Sequence, residues 1–316
     1  MKYLLCLFCT FSFITSFAQK VYKTTYLKFS NQIVDSLSQA EFTRTIYYPV
    51  DGDKLAKVVE VYKSGKLKKE GNINADYLDF LDYEGIVSYY FNNGIKSMEA
   101  TFKYGQFEGP TKIYYSTNKI YLEGVNIRKY GKVKFKVLKA FNEKGENVLD
   151  DKGNGYLETK EGGRITVKGN YKNGYKDGTW EIKDFFSKDK FEDIYKNEEF
   201  VSGTCTDING NLRTYKEIQT FPYYDGFPGI KTEGDGVMRP HPVLIKSNDL
   251  DGSVAYTFDI DRFGYANNFK LITSLSKYSD KKALEFIMKK KWHPASFRGI
   301  TQNTFSYLFI IGYHLD

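Results

Sequence analysis

A motif with two glycines four residues apart occurs twice in the chain, and it limits the possible folds more than any other feature. The first copy reads Phe102-Lys-Tyr-Gly105-Gln-Phe-Glu-Gly109, and the second reads Tyr171-Lys-Asn-Gly174-Tyr-Lys-Asp-Gly178. The two copies begin 69 residues apart, which equals three units of 23. A second pattern at 93–99 recurs at 117–123, 24 residues later. A period of this length predicts an array of repeated units.

The residues within each unit indicate a β-hairpin. Asn-Gly and Asp-Gly pairs adopt positive φ at little cost, so we expect them to close two-residue turns between alternating strands. Aromatic residues make up 17% of the chain, with 27 Tyr and 25 Phe, and they return at fixed offsets from the glycines. A single hairpin cannot bury such a face, but stacked hairpins can. The sequence therefore predicts a mainly β fold with an elongated antiparallel hairpin sheet from about residue 44 to 215.

The segment from Gly169 to Trp180, Gly-Asn-Tyr-Lys-Asn-Gly-Tyr-Lys-Asp-Gly-Thr-Trp, resembles MORN repeats in the variant form found in YwqK-type antitoxins. The resemblance covers about residues 57 to 215 and is weak at 72–86 and 128–160. It implies an elongated twisted antiparallel sheet that serves as a scaffold or binding surface. It carries over no catalytic residue.

The amino terminus has the pattern of a cleavable signal peptide. Lys2 precedes an apolar stretch from Tyr3 to Phe17, and Ala18 ends a small-residue site. This pattern predicts a signal peptide over residues 1–18. The alternative is an uncleaved membrane anchor, but the apolar run is shorter than the roughly 20 residues that a membrane-spanning helix needs. Two of the three cysteines lie inside this run, so we expect no lipid anchor.

Removal of residues 1–18 on export would change the cysteine content and the charge of the chain. Only Cys205 follows the predicted cleavage site, so we expect no intramolecular disulfide and interpret Cys205 as a buried small residue. Removal of Lys2 lowers the formal net charge from +7 to +6. This mild excess, spread along the chain among acidic residues, predicts no nucleic-acid partner. Peripheral contact with the membrane or with peptidoglycan remains open.

Proline and glycine mark a domain boundary near residue 221. Four of the seven prolines fall within 221–243, which predicts a repeat domain over 19–220, a linker over 221–241 and a carboxy-terminal domain over 242–316. Alternation at Val254–Ile260 predicts a strand, and a second strand is expected near 268–274. We expect Ser279 to cap a helix with an apolar stripe, followed by a last strand. The order strand, strand, helix, strand describes a small α+β domain.

The motifs Tyr256–Gly264 and Trp292-His-Pro-Ala295 resemble the carboxy-terminal domain of TonB-type proteins, and the match covers about residues 242–316. The resemblance implies that the domain binds an extended peptide as an added strand at the edge of its last strand. The chain lacks the long proline-rich spacer of an energy transducer, so peptide binding is expected without energy coupling. The implied peptide-binding residues are Thr304, Ser306, Leu308, Ile310 and Tyr313.

Nothing in the sequence points to catalysis, a metal or a cofactor. The three histidines, at 241, 293 and 314, are not paired at metal-ligand spacing, and no acidic pair lies in a catalytic motif. The leading hypothesis is a non-enzymatic adaptor that is periplasmic, outer-membrane-associated or secreted, with a protein or peptide partner such as an outer-membrane receptor. An alternative is a secreted antitoxin that neutralises a toxin through its repeats. A third hypothesis, a glycan-binding or glycan-cleaving enzyme, has the weakest support.

Overall fold

The protein is mainly β and contains an elongated antiparallel sheet of ten strands. The structure is a computed structural model that describes residues 19–29, 33–50, 52–161, 165–225, 243–247 and 251–315. The predicted signal peptide at 1–18 lies outside these ranges, as do residues 226–241 of the predicted linker. Within the described ranges, no helix is both long and apolar enough to cross a membrane.

The first sheet is a meander in which almost every strand pairs with the next strand in the chain. Its order is β10-β9-β8-β7-β6-β5-β4-β3-β1-β2, so only the first two strands depart from chain order. A short 3-10 turn, Ala75–Tyr77, lies between the fifth and sixth strands. The strands are β1 Val21–Leu27, β2 Ile33–Val34, β3 Phe42–Tyr47, β4 Leu55–Tyr62, β5 Leu67–Asn74, β6 Tyr83–Tyr90, β7 Lys96–Lys103, β8 Gln106–Tyr114, β9 Ile120–Lys129 and β10 Lys132–Ala140.

A second sheet of six strands follows in strict chain order. The break between the two sheets falls at 141–154, inside one of the stretches where the repeat pattern is weak. The sheets are joined at a hairpin turn, because the Val137 N–H of β10 donates to the Gly174 carbonyl at 2.8 Å. The strands are β11 Gly155–Glu161, β12 Ile165–Lys172, β13 Tyr175–Asp184, β14 Lys190–Lys196, β15 Glu199–Thr206 and β16 Leu212–Tyr215.

The two glycines of the repeated motif have different functions, which corrects one prediction. Gly174 follows Asn173 in a two-residue turn where both residues have positive φ, 55° and 84°, as predicted. Gly178 instead lies inside β13, so Asp177-Gly178 does not close a turn. The pairing register between β12 and β13 shifts at this point, because three residues of β13 oppose one of β12. The second glycine therefore supports a β-bulge.

A third class of glycine makes room for aromatic rings. A Cβ atom on Gly169 would lie 2.3 Å from the Trp180 ring on the neighbouring strand. The same arrangement joins Gly203 with the Tyr215 ring, and Gly124 with the Phe135 ring. Trp180 is buried, as the sequence predicts. At these three positions an aromatic side chain lies across a glycine on the adjacent strand.

The carboxy-terminal part contains one helix, α1 (Lys277–Lys289), and three small groups of strands. The helix begins one turn earlier than predicted. Its cap is Ser276, whose Oγ accepts the Ser279 N–H at 3.1 Å, and the predicted cap Ser279 is buried within the first turn. The remaining strands are β17 Gln219–Thr220, β18 Tyr223–Tyr224, β19 Val243–Ser247, β20 Gly252–Ile260, β21 Ala266–Thr273, β22 Trp292–His293, β23 Ala295–Phe297, β24 Ile300–Gln302 and β25 Thr304–Leu315.

Candidate functional sites of the carboxy-terminal part

The predicted docking strand, β25, lies inside its sheet. The sheet order is β19-β25-β20-β21, in which β25 pairs antiparallel with β20 over most of its length. On the other side of β25, β19 runs parallel and pairs with residues 311–315. Tyr313, one of the predicted peptide-binding residues, is therefore opposite Ile245. Within the described ranges, no strand pairs with residues 304–310 on that side.

The two faces of β25 differ as its alternation predicts. Tyr307, Phe309 and Ile311 are buried against the helix and β20, within the aromatic core that contains Trp292 and Phe258. The predicted site residues Thr304, Ser306, Leu308 and Ile310 are half-buried on the other face. Alternation along the strand would place Phe305 on the same face as Tyr307 and Phe309, but its side chain is 66% exposed.

A bulge at Ser306 lies near the start of β25. Ser306 has a φ of 53°, which is uncommon for a residue other than glycine. Its backbone N–H donates to the Asp259 carboxylate at 2.8 Å, and the pairing register with β20 shifts nearby. A bulge of this kind bends a strand and changes the direction of its side chains. The segment open to an added strand is therefore short and curved at its beginning.

Residues at the start of the predicted linker are part of the carboxy-terminal structure. Gln219 and Thr220 pair with Phe297 and Ser296, and β18 pairs with β22. Tyr224 belongs to the buried aromatic core of this part of the chain, and the Tyr307 hydroxyl donates to the Pro222 carbonyl at 3.1 Å. The sequence boundaries at 220 and 241 remain predictions, but the described contacts connect residues 219–225 to the carboxy-terminal strands.

A buried ion pair joins the repeat sheet to the carboxy-terminal part. Asp193 on β14 is fully buried, and Arg298, in the turn between β23 and β24, donates to its carboxylate through Nε at 3.1 Å and Nη2 at 2.9 Å. Tyr215 donates its hydroxyl to the same carboxylate, and Tyr195 does so at 3.4 Å. We call these four residues the Asp193 cluster. Burial, together with the Asp193 charge, raises the pKa of both tyrosines, so both stay protonated donors.

No local pattern in the sequence marked the Asp193 cluster, since 105 residues separate Asp193 from Arg298. An indirect signal was present in the alternation of β14, which places a carboxylate where Phe191 and Tyr195 predict an apolar position. An acidic residue on a buried face needs a cationic or hydrogen-bonding partner.

Comparison with known proteins adds no identification: no protein-family model matches this chain, and no curated protein does. Within the described ranges, no group of three or more His, Cys, Asp or Glu side chains could hold a metal ion. His293, the one histidine with a described side chain, stacks on Tyr223 with ring centres 4.3 Å apart and contacts Asp225 at 2.9 Å. The candidate binding surfaces are the edge of β25 and the surface of the repeat sheet.

Proposed function

We propose that the protein is an exported, non-enzymatic adaptor that binds an extended peptide as an added strand beside residues 304–310 of β25. The observation that carries this proposal is the position of β19. This strand pairs in parallel with the far end of β25, so the same edge already accepts one added strand. Strand addition obtains its affinity from backbone hydrogen bonds, and side-chain pockets supply specificity.

The resemblance to TonB-type carboxy-terminal domains supports the same mode of binding. Four of the five residues that it implies, Thr304, Ser306, Leu308 and Ile310, belong to the segment 304–310, with which none of the described strands pairs on that side. A partner in the cell envelope, such as the exposed tail of an outer-membrane receptor, would fit this role.

The test compares the two edges of the carboxy-terminal sheet in the full mature chain. A photo-crosslinking residue is placed at Leu308 on β25 or, as the matched control, at Lys270 on the edge strand β21. Peptides selected from a random library of extended octapeptides are then added. We expect crosslinking at Leu308 and not at Lys270. Equal crosslinking at both edges, or none at Leu308, would refute strand addition at β25.

A second contact is proposed for the repeat sheet. Turns at one end of a meander lie side by side, and here they carry exposed apolar side chains. Tyr130 is 92% exposed and Tyr104 66% exposed, while the hairpin turns β4–β5, β6–β7 and β8–β9 at the opposite end carry the exposed polar residues Ser64, Asn93 and Asn118. The exposed apolar residues at that end, Phe29, Ile33 and Leu37, lie around β2. We call the apolar set at the end of Tyr104 and Tyr130 the apolar turn row, and its members are Tyr48, Val50, Tyr77, Phe80, Tyr104 and Tyr130.

Tyrosine and phenylalanine are enriched in protein interfaces, so the apolar turn row favours a protein partner for the repeats. This partner would be an envelope protein in the adaptor proposal or a toxin in the alternative proposal of a secreted antitoxin. Both readings predict that Tyr104→Ser with Tyr130→Ser abolishes capture of the partner, while Asn93→Ser with Asn118→Ser at the opposite end does not. The identity of the captured protein separates the adaptor from the antitoxin.

A further inference from the structure

A cluster of three cations surrounds one buried carboxylate in the first sheet. Glu60 on β4 is fully buried, and its carboxylate contacts the Arg44 guanidinium at 2.6 Å, the Lys68 ammonium at 2.5 Å and the Lys69 ammonium at 3.7 Å. We call these residues the Glu60 cluster. Within the described part of the chain, no other acidic residue forms an ion pair with the three cations.

The sheet register explains why the cations converge. Arg44 is opposite Glu60 on one side, and Lys69 is opposite Glu60 on the other. Between Glu60 and Val61 the register shifts, because Lys68 is an additional residue in β5. This bulge allows two consecutive lysines to reach the same carboxylate, whereas side chains in a regular strand point to opposite faces.

The positive charge of the cluster exceeds its negative charge by two. The neighbouring phenols do not supply the missing charge, because burial and the Glu60 carboxylate raise the pKa of both Tyr83 and Tyr89. Nearby carboxylates have other contacts. Glu41 accepts the Phe29 N–H at 2.5 Å, and Glu70 accepts the Tyr90 hydroxyl at 2.7 Å and lies 3.8 Å from Lys57. The surplus is partly buried, since the side chains of Arg44 and Lys69 are 16% and 13% exposed.

An open cavity of about 470 Å³ adjoins this surplus charge. Lys68 and Tyr89 belong to both the cavity wall and the surroundings of Glu60. Most of the rest of the wall is aromatic, with Phe29, Tyr62, Tyr90 and Phe91, and Ser97 also lines it.

We propose that this cavity binds a small aromatic anion, whose charged group lies beside Lys68 and whose ring packs between the aromatic side chains. The surplus positive charge of the adjoining cluster favours an anionic group, such as a phosphate or a carboxylate, over a neutral group. Aromatic walls favour a planar ring, because rings pack in offset or edge-to-face arrangements. The site is independent of the peptide edge at β25.

The test measures binding of three probes to the full mature chain by isothermal titration calorimetry. Phenyl phosphate carries a ring and a charge, inorganic phosphate carries only the charge, and benzyl alcohol carries only the ring. We expect phenyl phosphate to bind at least about tenfold more tightly than either of the other probes, which corresponds to about 1.4 kcal/mol. Equal affinity for phenyl phosphate and either partial probe, or no binding of phenyl phosphate, would overturn the proposal.

Two variants locate the site. Lys68→Met removes a cation of the cluster, and Ser97→Trp fills the cavity while leaving the Glu60 cluster intact, so it remains informative if Lys68→Met folds poorly. Both should lower the affinity for phenyl phosphate by about tenfold or more. Lys57→Met, a lysine of β4 outside the cavity, is the matched control and should bind as the unaltered protein does. Unchanged binding by folded Ser97→Trp would place the ligand elsewhere and refute the site.

Discussion

Asp193 carries a charge in a position where water cannot reach it. Burial of an isolated carboxylate is costly, and this cost is offset here by the Arg298 guanidinium and two tyrosine hydroxyls. Removal of one partner from such a cluster lowers the free energy of unfolding by more than the net contribution of the pair. The reason is that the remaining charge stays buried without a counter-charge.

We predict that Asp193→Asn lowers the free energy of unfolding by about 3 kcal/mol, because Arg298 would lose its buried counter-ion. Urea denaturation monitored by fluorescence measures this change. The control is Glu181→Gln, which removes an exposed ion pair with Lys168 and should cost less than about 1 kcal/mol. Similar losses in both variants would show that the Asp193 charge is not important for stability.

Lys69 should give stability a distinctive pH dependence. Burial, with the charges of Arg44 and Lys68, lowers the pKa of Lys69 to about 8 although Glu60 acts in the opposite direction. In the unfolded chain the pKa of a lysine is about 10.4. Between these values the unfolded state binds more protons, so stability should rise as the pH increases from about 8 to about 10. Above about pH 10 the buried phenols of Tyr83 and Tyr89 should reverse the trend, because they resist ionisation only in the folded state.

The measurement compares urea denaturation at about pH 7.5 and about pH 9.5. Lys69→Met should lack the rise that the unaltered protein shows. Lys57→Met, which removes an exposed lysine, should keep it. If the rise persists in Lys69→Met, another group causes it.

At the scale of the strands, stability depends on aromatic rings that lie across glycines. Gly169→Ala should destabilise the second sheet by about 1–3 kcal/mol, because the added Cβ would meet the Trp180 ring at 2.3 Å. Asn170→Ala, on the exposed position next in the same strand, is the control and should change stability by less than about 0.5 kcal/mol. Thermal unfolding followed by circular dichroism tests both. If Gly169→Ala unfolds at the same temperature as the unaltered protein, the Trp180 ring can move aside without a loss of stability.

The sequence predicted those features that depend on neighbouring residues. Glycine spacing predicted the hairpin array and the turn at Gly174, and alternation predicted strands at Val254–Ile260 and Thr304–Tyr313. The bulge at Gly178 and the helix cap at Ser276 were missed, because an Asp-Gly pair suits both a turn and a bulge and because two serines three residues apart can each cap a helix. The Asp193 cluster and the pairing of β19 could not be predicted, since both depend on contacts between residues far apart in the chain.

For the whole molecule, residues before the predicted boundary should matter to the carboxy-terminal fold. Tyr224 fills its core, and β17 and β18 pair with its strands. We predict that a fragment of residues 217–316 shows the near-ultraviolet circular dichroism and cooperative thermal unfolding of packed aromatic rings. A fragment of residues 242–316 should lack both. If the two fragments unfold with equal cooperativity, residues 217–241 act only as a linker.

The apolar turn row also has a regular spacing along the first sheet. Adjacent strands lie about 4.8 Å apart, so exposed side chains at the same end recur about every 9–10 Å, once per hairpin. Adding or deleting one hairpin would change the length of the row by one step and leave the spacing of the others unchanged. A partner that binds along this row would therefore recognise the number of repeats as a distance.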